Sequence, residues 1–214
     1  MSKHAPPEAG TRRQRCATCL RAQSACICRW ITPVVARAAL LVLQHPLEVA
    51  NAKNSARLLH LSVTGSVLAV GEAFDQAELE ALLHADGRVP VLLYPETPDD
   101  ANLPAAPPFA PSDADRMRLV VLDATWRKSR KMLYLNQALQ RLPRLSLVDV
   151  APSNYRIRKA HAPHQLSSLE AAALALAQLE GDDGPVQPLL DAFAGFVEQQ
   201  AAYVPDPHHG ARSA

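Results

Sequence analysis

Short apolar runs alternate with amphipathic segments along most of this chain, beginning near residue 38. Five runs have the length and composition of buried strands: residues 38–43, 66–70, 89–94, 118–122 and 145–148. Helical spacing of apolar residues predicts helices between them, over residues 49–61, 76–84 and 125–142. Buried strands that alternate with helices form βαβ units, so the pattern predicts an α/β fold with a mainly parallel sheet.

The last third of the chain carries helix signals. Ser167-Ser168-Leu169-Glu170 has the spacing of a capping box, which predicts the start of a helix that runs to residue 179. Glycines at both ends of residues 181–184 end it, and Pro185 begins a final helix with an apolar stripe. The segment 95–115, rich in Pro and Asp, is typical of a loop or mobile cover.

The nearly balanced charge of the chain hides a strong segregation along it. The net charge is +1, yet residues 1–40 hold seven basic residues against one acid, and residues 123–161 hold nine against two. Residues 71–115 hold ten acids against a single Arg. Two basic segments in a balanced chain favour a nucleic-acid partner, although either one alone is equally typical of a solvated helix face.

The distribution of apolar residues also indicates where in the cell the protein is expected. No apolar run is long enough to span a bilayer, so no membrane association is expected. The first fifteen residues carry charge without the apolar core of a secretory signal, which favours a cytoplasmic protein.

All four cysteines fall within one short stretch, Cys16-x-x-Cys19 followed by Cys26-x-Cys28. Disulfides are not expected in a chain without a secretion signal. Four thiolates at this spacing suit one tetrahedral ion, most naturally zinc, in a compact knuckle whose folding depends on the metal. Because a closed four-sulfur site has no open position, we assign it a structural role; inert reduced cysteines or a redox role are the alternatives.

A second cluster follows the predicted strand at residues 118–122. Asp123-Ala124-Thr125-Trp126 combines a carboxylate, a hydroxyl and an indole where open α/β sheets place their ligands, and a basic helix follows. Tyr94-Pro95-Glu96 follows another strand end. The less specific interpretations are a helix cap for Asp123 or Thr125, core packing for Trp126 and a surface loop for Glu96.

These motifs together resemble those of the DTW-domain proteins, the tRNA-uridine aminocarboxypropyltransferases of the SPOUT superfamily. The resemblance covers roughly residues 16–200 and depends on six pieces in order. They are the four cysteines, Leu43-Gln44-His45-Pro46 with Glu48, Tyr94-Pro95-Glu96, Asp123-Ala124-Thr125-Trp126, Ser153-Asn154-Tyr155-Arg156-Ile157-Arg158 and Leu166-Ser167-Ser168-Leu169-Glu170.

The resemblance implies a SPOUT-like α/β fold, with helices on both faces of the sheet and a knotted S-adenosylmethionine site near the carboxyl end. The expected organisation is a flexible basic N-terminus (1–15), a four-cysteine zinc knuckle (16–30), the catalytic domain (31–204) and a disordered tail (205–214). The implied reaction moves the 3-amino-3-carboxypropyl group of S-adenosylmethionine to N3 of a tRNA uridine, in the variable loop for bacterial members, and releases methylthioadenosine. No obligate protein partner is evident.

The resemblance also implies site residues. Asp123, Thr125 and Trp126 are the expected catalytic residues, with Asp123 as the candidate general base for the uridine. The donor site is expected to include Tyr94, Pro95, Glu96, Leu122, Asp123, Trp126, Ser167 and Leu169. The expected RNA contacts are Arg127, Lys128, Lys131, Arg156, Arg158 and Lys159, which would bind phosphates and position the RNA.

Two other functions remain open from the sequence. A SPOUT methyltransferase would use the same donor and release S-adenosylhomocysteine. A zinc-dependent RNA-binding module without catalysis would bind tRNA whether or not S-adenosylmethionine is present. The clustering of polar residues at strand ends argues against the second, because RNA binding alone does not need it.

Overall fold

The computed structural model describes residues 14–97, 100–147 and 166–203. Within them one sheet contains β1 (Ala39–Gln44), β2 (Val67–Val70), β3 (Val89–Leu93), β4 (Met117–Asp123) and β5 (Arg144–Leu145). The strand order is β2-β1-β4-β3-β5, and every neighbouring pair runs parallel. The predicted parallel α/β sheet is therefore confirmed, and all its strand carboxyl ends share one edge.

Helices cover both faces of this sheet, as expected. They are α1 (Ala56–Ser62), α2 (Gln76–Leu83), α3 (Trp126–Leu135), α4 (Gln137–Gln140), α5 (Ser168–Glu180) and α6 (Gln187–Ala201). Apolar residues of α1, α5 and α6 form one buried cluster with the sheet, and those of α2, α3 and α4 form a second. Alternation in β4 sends Leu119 and Val121 to the first cluster and Val120 to the second.

The helix predicted over residues 49–61 begins later, at Ala56. The preceding residues form turns in which polar side chains bond nearby backbone: Asn51 Oδ1 accepts from the Lys53 N–H at 3.0 Å, and Asn54 Oδ1 accepts from the Arg57 N–H at 3.4 Å. Asn side chains compete with helical hydrogen bonds in this way. Asn54 therefore lies outside the helix, and its side chain reaches Asp123 at the sheet edge.

The single helix predicted over residues 125–142 is divided at Asn136 into α3 and α4. The Asn136 amide donates to the Met132 carbonyl at 2.6 Å and to the Glu72 carbonyl at 2.9 Å, while its oxygen accepts from the Phe74 N–H at 2.9 Å. The side chain replaces part of the helical ladder and attaches the helix break to the loop after β2.

The segregated charges of the sequence meet in the folded chain. Lys131 pairs with Glu72 at 2.8 Å, and Arg130 pairs with Asp100 at 2.7 Å. Hydrogen bonds from Tyr134 and then Arg130 lower the pKa of the Asp100 carboxyl. The segment 95–115 has no helix or strand among its described residues apart from the turn Ala114–Arg116, which confirms the predicted loop.

Several expectations lie outside the described residues. They include residues 1–13 of the flexible N-terminus (1–15), the disordered tail (205–214) and Val148 of the predicted strand 145–148, whereas Ser146 and Leu147 are described and lie outside β5. The expected knot stays a prediction. The domain boundaries stay predictions. Among the helices of the described ranges, none has the length and apolar character needed to cross a membrane.

The cysteine segment packs against α6 rather than standing apart. Trp30 Nε1 donates to Gln199 Oε1 at 2.5 Å, and Gln199 Nε2 donates to the Cys26 carbonyl at 3.0 Å. Ile27 is fully buried in the cluster beneath α6. Gly195 allows the close approach, because a Cβ at that position would lie 2.1 Å from the Trp30 ring.

Replacing Gly195 by Ala is therefore expected to destabilise the protein, although Ala is the better helix former by about 1 kcal/mol. The clash with Trp30 should outweigh that gain and leave a net loss of about 1–3 kcal/mol in urea unfolding. The Trp30→Leu background removes the ring, so there the same substitution should become neutral or stabilising. A stabilised Gly195→Ala protein with Trp30 intact would contradict this packing.

Candidate active site

A cavity of about 490 Å³ opens at the carboxyl edge of the sheet, between the ends of β3, β4 and β5 and the start of α5. This volume lies in the range of small-molecule sites. Its lining is mainly apolar, with serine hydroxyls at intervals. The residues are Leu93, Tyr94, Pro95, Val121, Leu122, Ala124, Trp126, Ser129, Leu145, Ser146, Leu147, Leu166, Ser167, Ser168 and Ala171.

Two aromatic rings form one wall of the cavity. Tyr94 and Trp126 meet edge to face, with ring centroids 5.9 Å apart. Tyr94 is buried, whereas Trp126 is 55% exposed, too much for a core residue, so the packing alternative for Trp126 is wrong. The guanidinium of Arg144 lies 5.5 Å from the Tyr94 ring centre, in a cation–π contact that supports this wall.

Asp123 lies beside the cavity but is not among the residues that line it. Its carboxylate is 2% exposed. Oδ2 accepts from Gln44 Nε2 at 2.8 Å and from Asn54 Nδ2 at 2.6 Å, while Oδ1 accepts from Ser168 Oγ at 2.6 Å. Both oxygens are therefore engaged by three neutral donors from three different parts of the chain.

Strand register explains why these groups meet. Gln44 and Asp123 are the last residues of β1 and β4 and are direct partners in the parallel ladder. Alternation places Asp123 on the same face as Leu119 and Val121, the face covered by α1 and α5. Asn54 precedes α1, and Ser168 is the first residue of α5, so each faces the carboxylate.

The start of α5 forms another side of the cavity. Ser167 is the N-cap, its Oγ accepts from the Glu170 N–H at 3.2 Å, and the Glu170 carboxylate accepts from the Ser167 N–H at 2.9 Å. The predicted capping box is confirmed. The Leu169 N–H donates to Ser55 Oγ at 3.3 Å, so among the described contacts the Ser168 N–H is the first-turn group of α5 that is left for an anionic group of a ligand.

The structure gathers most, but not all, of the predicted donor residues. Tyr94, Pro95, Leu122, Trp126 and Ser167 line the cavity. Three others do not line it: Asp123 is buried behind the wall, Leu169 is fully buried in the core, and Glu96 is exposed. Thr125 is the exposed N-cap residue of α3 and makes no capping hydrogen bond with its side chain.

Sequence reasoning missed Asn54 and Ser129, and it did not foresee Ser168 as a partner of Asp123. Asn54 lay within a predicted helix, although the polar run from Asn51 to Ser55 is a turn and capping signal that could have exposed it. Ser129 lies one turn into α3 and donates to the Trp126 carbonyl at 3.0 Å.

His45, which follows β1, has a structural role. Its Nδ1 accepts from the Leu47 N–H at 3.1 Å, so Nε2 carries the proton and donates to Glu72 at 3.0 Å. Hydrogen bonds from Lys131 and then His45 lower the pKa of the Glu72 carboxyl. His45 is therefore a buried histidine with both ring nitrogens hydrogen-bonded within the protein.

The predicted RNA-binding cations differ in their surroundings. Arg127 is exposed next to Trp126, and within the described residues it makes no ion pair or side-chain hydrogen bond. Lys128 lies 3.4 Å from buried Glu48, and Lys131 pairs with Glu72. Arg156, Arg158 and Lys159 lie outside the described residues.

The four cysteines form a possible metal centre, with their sulfurs all within 4.8 Å of one another. The sulfurs of Cys16 and Cys28 are 3.5 Å apart, and those of Cys19 and Cys26 are 3.7 Å apart. A tetrahedral zinc with Zn–S bonds of about 2.3 Å requires edges of about 3.8 Å, so the donor set fits. Backbone N–H groups of Cys19 and Thr18 lower the pKa of Cys16 to about 6, whereas desolvation raises that of Cys28 to about 12.

Comparison with known proteins gives consistent matches. The DTW domain model matches residues 13–201. Proteins named tRNA-uridine aminocarboxypropyltransferase 2 are similar to the chain. That of Drosophila melanogaster is 31% identical over 177 residues, which cover 79% of this chain and 68% of the relative. Those of Macaca fascicularis and Mus musculus are 28% and 29% identical over 212 residues, which cover 93% of this chain and 68% of each relative. No solved structure shows significant similarity.

Proposed function

The chain belongs to the DTW-domain family, and on that premise we propose that it is a transferase that moves an aminocarboxypropyl group onto a uridine of tRNA. We assign S-adenosylmethionine as the donor and N3 of the uridine, in the variable loop, as the acceptor. The observation that carries the proposal is the cavity at the carboxyl edge of the sheet, whose lining includes the motif residues Tyr94, Trp126 and Ser167.

The lining of the cavity matches the parts of such a donor. Apolar residues from β3, β4 and β5 offer a surface for adenine. The rings of Tyr94 and Trp126 offer π faces, which attract a sulfonium cation. The start of α5 offers the backbone N–H of Ser168 and the hydroxyl proton of Ser167 for the donor carboxylate, because the Ser168 hydroxyl already donates to Asp123.

In the reaction, uridine N3 attacks the γ-carbon of the methionine chain. The bond between that carbon and sulfur breaks, its electron pair stays on sulfur, and neutral methylthioadenosine leaves. N3 loses its proton to water or to a base. Because no carboxylate is among the described lining residues, the protein contributes mainly by aligning the γ-carbon with N3.

We assign zinc to the four cysteines, in a structural role. The geometry of the sulfurs supports a closed tetrahedral site. The cysteine segment packs against α6, and none of the four cysteines is among the residues that line the cavity. We also place the protein in the cytoplasm, where tRNA is available and thiols stay reduced.

Positioning of the tRNA is assigned to six basic residues, three of which follow Trp126 in α3. Arg127 is the best supported, because it is exposed beside Trp126 and has no acidic partner within the described ranges. Lys128 and Lys131 are included, although each already faces an acid. The set is completed by Arg156, Arg158 and Lys159.

Replacing Arg127 by Ala is expected to weaken tRNA binding and to lower the slope of log affinity against log salt by about 0.7–0.9, the share of one phosphate contact. Donor binding should not change. Arg116→Ala is a matched control, because Arg116 is also exposed but lies at the opposite end of β4. An unchanged salt slope for Arg127→Ala, measured by filter binding, would remove this residue from the RNA surface.

Mass spectrometry of nucleosides tests the function itself. Unmodified tRNA incubated with the protein and S-adenosylmethionine should gain the mass of an aminocarboxypropyl group on one uridine, together with one methylthioadenosine per transfer. Formation of S-adenosylhomocysteine would instead identify a methyltransferase. Binding of tRNA without any product, under conditions in which the donor also binds, would identify a non-catalytic module.

A further inference from the structure

We propose that Asp123 is a positioning residue, whose carboxylate holds the start of α5 at the cavity wall, and that it does not take the proton from the uridine. This inference rests on the proposed function for its chemistry. Asp123 is the most prominent motif residue without access to the cavity, and a general base needs a free lone pair within reach of its substrate. The carboxylate is 2% exposed and does not line the cavity.

The hydrogen bonds of Asp123 explain what the carboxylate does instead. Three donors engage it at 2.6–2.8 Å, from β1, from the turn before α1 and from α5. Hydrogen bonds to a buried carboxylate are strong and directional, so they fix these three elements relative to one another. Gln44 also donates to Asn54 Oδ1 at 3.3 Å, which closes the network.

The network holds the part of α5 that forms the cavity. Ser168 donates to Asp123, and the next backbone N–H, that of Leu169, donates to Ser55 Oγ at 3.3 Å. The first turn of α5 is thus held by Asp123 and by the residue after Asn54. Since Ser167 and Ser168 line the cavity, loss of these bonds would displace the groups assigned to the donor carboxylate.

The same network extends to the cysteine knuckle. Arg21 donates to the carbonyls of Ala52 and Asn54, the latter at 2.6 Å. In return, Arg57 donates to the Thr18 carbonyl at 2.8 Å. The knuckle therefore contacts both sides of the turn that presents Asn54 to Asp123. We expect loss of the structural metal to loosen this turn and so to weaken donor binding.

The substitutions Asp123→Asn and Asp123→Ala distinguish a positioning role from base catalysis, because Asn keeps the hydrogen bonds but cannot accept the proton. In Asp123→Asn, the amide oxygen can accept from Gln44 and Asn54, and the amide nitrogen can donate to Ser168 Oγ, which then acts as an acceptor. We expect Asp123→Asn to bind S-adenosylmethionine within about 3-fold of the parent in calorimetry without tRNA, and to retain transfer within about 10-fold. Asp123→Ala should lose at least 10-fold in donor affinity.

A folded Asp123→Asn protein that binds the donor normally but transfers nothing would overturn the proposal, because it would assign a chemical role to the charge. Normal donor affinity in Asp123→Ala would overturn it as well. Asp115→Asn serves as control, since its carboxylate is exposed and pairs with Arg37 far along β4 from the cavity.

A charge exchange gives a second test. Asn54→Asp places two carboxylates at the 2.6 Å contact and should weaken donor binding by more than 10-fold. Adding Asp123→Asn restores one donor and one acceptor at this contact and should recover part of the affinity; recovery stays incomplete because the new amide nitrogen also faces the Gln44 Nε2 donor. A double variant that binds the donor no better than Asn54→Asp alone, when both single variants fold, would contradict the network.

Hydrogen exchange tests the network without any donor, and so independently of the proposed function. Asp123→Ala should increase amide exchange in residues 52–57 and 167–171, whereas Asp123→Asn should not. Arg21→Gln should increase exchange in residues 52–57 at unchanged zinc content, with Arg29→Gln as the control from the same knuckle. If the parent protein bound no S-adenosylmethionine, the donor assignment would fail, while the exchange pattern would still support or overturn the positioning role.

Discussion

Replacing Cys26 by Ser is expected to release the bound metal and to destabilise the whole chain rather than the knuckle alone. Ile27 and Cys19 of the knuckle are buried in the cluster shared with α5 and α6, so loss of the metal removes part of the main core. In isolated zinc knuckles, metal binding supplies about 10 kcal/mol or more of folding free energy. In this chain the loss should be smaller, because the rest of the protein stays folded without the metal. A loss of about 4 kcal/mol would lower Tm by roughly 10 °C.

Metal analysis and calorimetry of unfolding measure the two effects together. The parent should contain one zinc per chain, and Cys26→Ser far less. Ala25→Ser is the matched control, because it introduces the same hydroxyl beside the site without removing a ligand. Full zinc occupancy in Cys26→Ser would show that the fourth sulfur is not a ligand.

Asp123→Ala is expected to abolish transfer while leaving tRNA affinity within a few-fold. The substitution leaves three donors in a buried site without their acceptor, so the free energy of unfolding should fall by about 3 kcal/mol. Loss of donor alignment should reduce the rate by at least about 100-fold. The tRNA surface should change little, because the carboxylate is buried away from it.

Single-turnover assays measure the transfer rate, filter binding measures the tRNA affinity, and urea unfolding measures the free energy of unfolding. Asp115→Ala, which removes an exposed carboxylate, should keep full activity and lower the free energy of unfolding far less than Asp123→Ala does. A fully active Asp123→Ala protein would remove Asp123 from the reaction in any role, whether as a base or as a positioning residue.

The sequence predicted the strands well because their residues are apolar on both faces. Residues of β1 and β4 are almost all buried, and such runs have few alternatives to a central parallel strand. The capping box at Ser167 was equally local: four consecutive residues specify both of its hydrogen bonds.

The predicted ends of α1 and α3 were wrong because these boundaries depend on contacts with distant parts of the chain. Asn136 ends α3 because its side chain bonds Glu72 and Phe74, residues more than sixty positions away that no local pattern reveals. The delayed start of α1 likewise depends on polar side chains that form turns and then face the sheet edge. Helical periodicity shows which residues are apolar, but it does not show which amide side chains form hydrogen bonds with distant residues.

Two properties followed from the sequence by itself: the order of strands and helices, set by the spacing of apolar residues, and the cluster of four thiols, set by four cysteines within thirteen positions. The tertiary structure alone decided the environment of each polar side chain. Asp123 and Trp126 are three residues apart, yet strand pairing buries the first among three donors and leaves the second at the cavity mouth. The surroundings of the basic residues in α3 also depend on tertiary packing, which places acids against Lys128, Arg130 and Lys131 and leaves Arg127 facing solvent.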